Sequence, residues 1–437
     1  MKKTLLLLIF ISVSYAVFSQ TDTTVNKKTG WKFGIALPAI AFDSDIGFKY
    51  GALVTFYDFG DGSTFPNYMK SIYAEWSRTT KGSGINKIMY DDKKFLGKNI
   101  RFLGDFSYYI EQSLDFYGYN GFASYYNHGF EDATSVDYLT RMYYKMDRRL
   151  LRIVTDFQFP IVENKLKAIA GYSFYDFNLN SVDIEKLNKG KEESEKLPTV
   201  ESQPGLYEQY ISNGIIPEDQ KNGGIVNHIK AGVVWDTRDF EACPTKGIWT
   251  EALVIYSAPL FGNKYGYSQF NFTHRQYFST LKERLMFAYR VSYNAKLSGE
   301  MPFYMLPFYQ NTLEVRDGFG GAKTIRGMLR NRLVGDGVAF GNVEVRGKVL
   351  ETKIGGKLDF YIALSAFADA GMVTQKYKFT QTSGASVVYG DESLHLGYGG
   401  GIRFGINQNS IVAVDYGLAN SKQDGNSGLY ISLGWLF

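Results

Sequence analysis

The sequence predicts an all-β protein, a 16-stranded antiparallel transmembrane β-barrel, and three observations carry that expectation. Apolar and polar residues alternate with period two in segments of about ten residues, the length and pattern of a tilted membrane strand with one lipid face and one wet face. Aromatic usage is high, with 33 Tyr, 33 Phe and 5 Trp, and barrels place such side chains at both membrane interfaces. After the N-terminal region no window of about 18 apolar residues occurs, which excludes a bundle of spanning helices. The mean hydropathy of −0.20 fits a barrel, because only every second strand residue meets lipid.

The chain opens with Lys2 and Lys3, an apolar stretch from Leu5, and small residues at Ser14, Ala16 and Ser19. This is the pattern of a secretory signal over residues 1–20, cleaved near 16–20. Residues 21–30 read as a short periplasmic segment and 31–437 as the barrel. Strands are expected at 31–42, 47–58, 67–78, 86–93, 99–112, 138–159, 165–178, 225–236, 247–257, 266–279, 283–297, 338–350, 358–370, 393–405, 410–418 and 428–437. The segment 138–159 reads either as one long strand or as two broken at Asp147-Arg148-Arg149. One strand puts every long connection (113–137, 179–224, 298–337 and 371–392) on the outer side and both termini in the periplasm, as in outer-membrane barrels.

Parity assigns faces. Glu344 and Arg346 alternate with Val343 and Val345, Asp369 falls opposite Ala368, and Arg403 and Asp415 join this polar set, so all five are expected in the lumen. On the last strand Leu429, Ile431, Leu433, Trp435 and Phe437 form an apolar row expected to face lipid. Pro38 in the first strand cannot donate to a ladder, and a bulge or strand end would accommodate it equally. The loop 179–224, rich in Lys and Glu, reads as solvated and mobile. The loop 298–337 is long and glycine-punctuated, and a loop of that length in a compact domain needs a reason.

Within it lies Gly320-Gly321-Ala322-Lys323-Thr324-Ile325-Arg326-Gly327-Met328-Leu329-Arg330-Asn331-Arg332, followed by Gly341-Asn342-Val343-Glu344-Val345-Arg346 and by Phe367-Ala368-Asp369-Ala370-Gly371. Upstream are Asp236-Thr237-Arg238-Asp239 with Pro244-Thr245-Lys246-Gly247, and Tyr117-Gly118-Tyr119-Asn120. In these motifs and their order the chain resembles the BamA/TamA-type superfamily, the bacterial surface antigen family, over nearly its whole mature length. The resemblance implies that the loop 298–337 folds into the lumen between strands eleven and twelve. Ile325, Arg326, Gly327 and Met328 would form its latch, held on the wall by Glu344, Asp369 and Gly371. A guanidinium is a planar donor fork that carboxylates accept bidentately. The family usually has Phe or Tyr where this chain has Met328, which fills an apolar niche with less defined geometry. Assembly factors of the family carry periplasmic POTRA domains before the barrel. The short stretch before residue 31 leaves no room for one, so the resemblance implies a barrel-only member.

The resemblance also implies an outer-membrane protein engaged in protein or lipid insertion or translocation through a seam between the first and last strands. A gated pore and a membrane-embedded structural partner are the alternatives. Expected partners are outer-membrane lipid, a separate periplasmic or POTRA-bearing protein, and the barrel assembly machinery. The ending Leu433, Trp435, Phe437 resembles the signal by which that machinery recognises client barrels. No enzyme is expected, because the four histidines, His128, His228, His274 and His395, lie in no nucleophile motif. No metal or cofactor is expected either, with no closely spaced His/Cys set. The single Cys243 reads as a bystander, and a net charge of +4 implies no nucleic-acid partner.

Overall fold

The computed structural model describes residues 28–437, apart from residues 40, 44–46, 66, 81, 163–164, 242, 261, 282–283, 313, 355–357, 382–388 and 407–409. The expected secretory signal lies outside the described residues. The main sheet has 17 strand segments. The first two, Trp31–Pro38 and Ala41–Asp43, both pair antiparallel with Gly47–Asp58 and form one interrupted strand, β1. Pro38 therefore ends a strand segment. The others follow as β2 (Gly47–Asp58), β3 (Lys70–Thr79), β4 (Gly84–Asp92), β5 (Arg101–Asp115), β6 (Lys145–Val162), β7 (Leu166–Asn180), β8 (Gly223–Asp236) and β9 (Gly247–Ser257). Then come β10 (Tyr267–Thr280), β11 (Leu285–Gly299), β12 (Gly337–Ile354), β13 (Leu358–Gln375), β14 (His395–Ile406), β15 (Ser410–Ala419) and β16 (Ser427–Leu433).

Each strand pairs antiparallel with its neighbour in sequence, and the sheet order places β16 beside the Ala41–Asp43 part of β1. The result is an all-β barrel of 16 strands counted this way. The two-way reading of 138–159 resolves to one strand. It starts at Lys145 rather than 138, because Tyr143 closes a turn onto the Thr140 carbonyl (3.0 Å) and Tyr143 and Tyr144 are buried among loop aromatics.

The alternation read from the sequence is the wall itself. Phe106, Val233, Val254, Val291, Val345 and Leu364 are exposed on the outside, while Arg148, Asp156, Lys230, Glu251, Arg290, Glu344 and Arg403 are buried within. Apolar residues cover the outer surface because they meet hydrocarbon, and these charged residues lie in the lumen, where partners exist.

The long connections lie at one end, and their aromatic side chains form a cap. Phe116, Tyr117, Tyr119, Tyr144, Tyr207, Tyr210, Phe303, Tyr304 and Tyr377 belong to one buried cluster. Edge-on ring pairs such as Tyr119–Tyr377, 4.8 Å between centroids, are the favoured geometry for such packing. The Tyr-Gly-Tyr-Asn motif organises it. Asn120 adopts φ +66°, donates its N–H to the Val334 carbonyl (2.6 Å), and its Nδ2 donates to the Tyr377 carbonyl (3.0 Å). The loop 179–224 differs from its expected solvated character. Its charged stretch, including the short helix α1 (Ile184–Asn188), is largely exposed, but α2 (Leu206–Ser212) buries Leu206, Tyr207 and Tyr210, and Ile215 and Ile216 are buried behind it. The apolar residues that compositional averaging hid hold the rest of the loop down.

The last strand also corrects its expectation. Strand pairing stops at Leu433, whose side chain lies outside the described set, and Gly434 turns the chain at φ +78°. Leu429 and Ile431 face outward as expected, but Trp435 and Phe437 do not. Phe437 is buried against Tyr277 and Ala288, and Trp435 lies under the guanidinium of Arg346, 4.2 Å from the ring centroid. Three lumen arginines, Arg290, Arg346 and Arg403, offer these rings cation–π contacts that lipid cannot.

Candidate functional site

The loop 300–336 enters the lumen. A short luminal hairpin, Phe308–Gln310 paired with Val315–Asp317, starts it, and the turn 324–328 ends it against the wall. Tyr309 anchors the hairpin by donating from its hydroxyl to the Phe272 carbonyl (2.6 Å). Around the turn, Ile325, Met328, Phe319, Leu333, Phe340 and Val373 form a second buried cluster, with Met328 2% exposed. Met328 thus fills an apolar niche at the place where the family resemblance put an aromatic.

Arg326 is the centre of the site and is fully buried. Its Nε and Nη2 donate to the two carboxylate oxygens of Asp369 at 2.8 and 2.9 Å, and its backbone N–H donates to Asp369 at 3.0 Å. Nη1 lies 2.6 Å from Glu344 and 3.4 Å from Asp415. The guanidinium stacks on the Phe367 ring, 3.5 Å from its centroid. Around it, Arg346 pairs with Glu344 (2.7 Å) and Arg403 pairs with Asp415 (2.6 Å). Three guanidiniums thus face three carboxylates with no net charge.

Glycines let the loop reach this depth. Gly327 has φ +93°, and a Cβ there would collide with the Leu418 backbone; its N–H donates to the Tyr430 hydroxyl (3.0 Å). On the wall, a Cβ at Gly371 would fall 2.5 Å from Ile325 Cδ1, and one at Gly417 would fall 2.7 Å from Gly327 N. A bare backbone on both sides is what permits the approach.

The structure therefore brings together Ile325, Arg326, Gly327, Met328, Glu344, Asp369 and Gly371 in one place. Asp415 and Tyr430 on β15 and β16, which the sequence reading did not assign to the latch, complete it. Strand parity had put Asp415 in the lumen, but spacing along the chain gave no sign of which loop atom it would meet. Trp435 and Phe437 form a separate group at the short-turn end. There the Phe437 carbonyl accepts from Arg346 (3.2 Å) and Trp435 Nε1 donates to Cys243 Sγ (3.2 Å). Cys243, expected as a bystander, thus touches the last residues of the chain.

Cys243 belongs to the turn 237–246, which folds across the same end. Arg238 donates bidentately to Asp236 (2.9 and 2.8 Å), and the Asp239 carboxylate accepts from the Thr245 and Lys246 N–H groups. Glu241 reaches over to Lys93 (2.9 Å) and Arg101. Burial alone would raise the Glu241 carboxyl, but Arg101 and Lys93 beside it hold it well below the usual carboxylate range. On the long-loop end Arg148 and Arg330 share the carboxylates of Glu111 and Asp317, linking β5, β6 and the luminal hairpin. Arg332 ties the cap by donating to the carbonyls of Gly121 (2.9 Å), Ser124 (2.8 Å) and Gln423 (2.6 Å).

Comparison with known proteins agrees with this architecture. A search of curated proteins found no match. The Omp85 superfamily domain matches residues 86–437. Among solved structures, BamA from Haemophilus ducreyi lacking POTRA domains 1–3 is similar with a TM-score of 0.52 and 14% identity, covering 93% of this chain and 70% of that one. CdiB from Escherichia coli is similar with a TM-score of 0.56 and 8% identity, covering 95% of this chain and 64% of that one. At these identities the likeness is one of fold, and it extends over nearly the whole barrel. With most of its length matched by the family domain, the chain belongs to the Omp85 superfamily and is an outer-membrane β-barrel similar to BamA and CdiB.

Proposed function

We propose that this barrel acts in inserting or translocating protein or lipid at the outer membrane, through a weak seam between β1 and β16. The observation that supports this reading is the brevity of the seam. β16 spans 7 residues and lies beside the 3-residue segment Ala41–Asp43, whereas β12 and β13 run 18 residues each along one another. Among the described residues this leaves a shorter ladder between the first and last strands than between β12 and β13, and a shorter ladder has fewer backbone hydrogen bonds to break. The inward turn at Gly434 removes Trp435–Phe437 from the wall and shortens the seam further.

Arg326 and its partners act in this reading as a latch that keeps the loop 300–336 inside the closed barrel. A separate POTRA-bearing or other periplasmic protein would deliver the client, and the barrel assembly machinery would insert this chain itself. The test is a disulfide between cysteines placed at 41–43 and at 429–432, in a Cys243→Ser background. Locking the seam should abolish growth support or reconstituted insertion, and reduction should restore it. Full activity of the locked barrel would overturn the seam and favour a pore or scaffold.

A further inference from the structure

Beside the balanced latch lies a second group of cations with too few acids. Arg275 on β10 and Arg290 on β11 are register partners, and both side chains are on the lumen face, 6% and 0% exposed. Like charges directly opposite on one face of an antiparallel pair repel. The luminal hairpin adds Arg316, 2% exposed, whose strand partner is Tyr309. Tyr309 packs edge-on against Phe340, 5.3 Å between centroids, and Phe340 is the ring that lies under Arg290 at 5.0 Å. Arg316 thus stands on the hairpin strand beside the Tyr309–Phe340–Arg290 stack. Lys323 joins them, its carbonyl accepting from Arg290 Nη2 at 3.1 Å.

Against these four cations stands Glu314, 3.3 Å from Arg316 and 3.9 Å from Lys323. Asp369, next along the wall, has both oxygens taken by Arg326. Asn342 stands between, accepting from Arg290 Nε at 2.8 Å and donating to Asp369 at 2.7 Å. Among the described residues, Arg275 Nε, Arg290 Nη1 and Arg316 Nε and Nη1 are buried without a hydrogen-bond partner. Burying charged donors with no acceptor is strongly unfavourable, so this arrangement calls for an anion.

We propose that Arg275, Arg290 and Arg316 form a lumen site for a phosphate-class oxyanion. Donors drawn from two strands and a hairpin suit a tetrahedral group with several oxygens better than a planar carboxylate, which one guanidinium satisfies. Trp249 backs Arg275 at 4.5 Å. Lys323 and Glu314, at the edge of this group, have side chains 54% and 39% exposed. Because Arg316 rides on the luminal hairpin, an anion bound here would join that hairpin to β10 and β11. The site does not depend on whether the seam opens.

The test uses the purified full-length barrel in micelles, titrated with inorganic phosphate at constant ionic strength made up with chloride, and followed by thermal unfolding and calorimetry. Phosphate should bind saturably and raise the unfolding temperature. Arg275→Gln and Arg316→Gln should each weaken binding at least about tenfold, as expected for loss of a charge-assisted contact, while the exposed Arg149→Gln should not. In phosphate-free buffer Arg275→Gln should be at least as heat-stable as the parent, because it relieves repulsion, and less stable than the parent when phosphate is present. Dihexanoyl phosphatidic acid competing more tightly than phosphate would identify a lipid headgroup as the source, and weaker competition a soluble phosphate. Stabilisation no greater than that from chloride, or equal stabilisation of both glutamine variants, would overturn the site. So would an Arg275→Gln protein destabilised equally in both buffers.

Discussion

Two arginine clusters share the lumen within one run of register partners, and they differ in charge balance. At Arg326 three guanidiniums meet three carboxylates, each carboxylate within ion-pair distance of a guanidinium. At Arg290 four cations meet one carboxylate. The first has the chemistry of a fastening, and the second is the group proposed above to take an anion. Similar side chains, on neighbouring strands of the same wall, are set apart by which faces carry acids: β12, β13 and β15 supply Glu344, Asp369 and Asp415, whereas the lumen faces of β10 and β11 at this depth carry Thr273, Arg275, Arg290 and Ser292.

The sharpest way to break the comparison is Arg326→Ala. It leaves three buried carboxylates facing two guanidiniums, and loss of one member of such a network costs about 3–5 kcal/mol. Urea unfolding of the refolded barrel should show that loss, and planar-bilayer traces should show larger or noisier conductance. Unchanged unfolding and unchanged traces would dissolve the distinction between the clusters. Next in size is Gly327→Ala, which adds both an overlap with the Leu418 backbone and a φ of +93° that an L side chain resists. Gly190→Ala is its control, with φ +78° but nothing within 4 Å, and should cost only about 1 kcal/mol. Equal losses at the two glycines would mean that the close approach is not tight.

A third prediction concerns the inward tail. Trp435→Ala removes ring contacts to Arg346 and Arg403 and the bond to Cys243. It should cost about 1–2 kcal/mol, the scale of desolvated cation–π contacts, and make Cys243 react faster with maleimide. A variant with unaltered Cys243 reactivity would place the tail elsewhere.

The smallest effect is at Glu241→Gln. With the Glu241 carboxyl held low by Arg101 and Lys93, its contribution is fully present above the ordinary glutamate value of about 4.3 and fades as pH falls through the folded value. The parent should exceed the variant by about 1 kcal/mol at neutral pH, and their stabilities should converge in acid. A gap that widens in acid would reverse the sign and refute the pairing.

How much of this was legible in the sequence depends on the range of the interaction. Period-two patterning located the strands, and two of them, 47–58 and 247–257, agree with the structure at both ends. Parity placed Glu344, Asp369, Arg403 and Asp415 inside, because a one-residue slip would expose a charge to lipid. The pairing of Arg326 with Asp369 came from the family resemblance; their 43-residue separation carries no local signal. Trp435 and Phe437 were misplaced because alternation cannot register a single glycine that turns the chain, and the lumen arginines that receive the rings lie far away in sequence. The loop 179–224 was misjudged for a similar reason. Its charged half dominates the average, and the anchoring residues Tyr207, Tyr210 and Ile216 are few. The surplus of charge at Arg275 and Arg290 appears only when β10 and β11 are placed in register.

The most direct test of a latched luminal loop is the reactivity of a cysteine at Met328, which is 2% exposed in its niche beside Arg326. In a Cys243→Ser barrel, Met328→Cys should resist a water-soluble maleimide, and adding Asp369→Asn should make it react at least about tenfold faster, as a loss of 1.4 kcal/mol or more in latch free energy requires. Equal labelling rates with and without Asp369→Asn would contradict the Arg326–Asp369 latch.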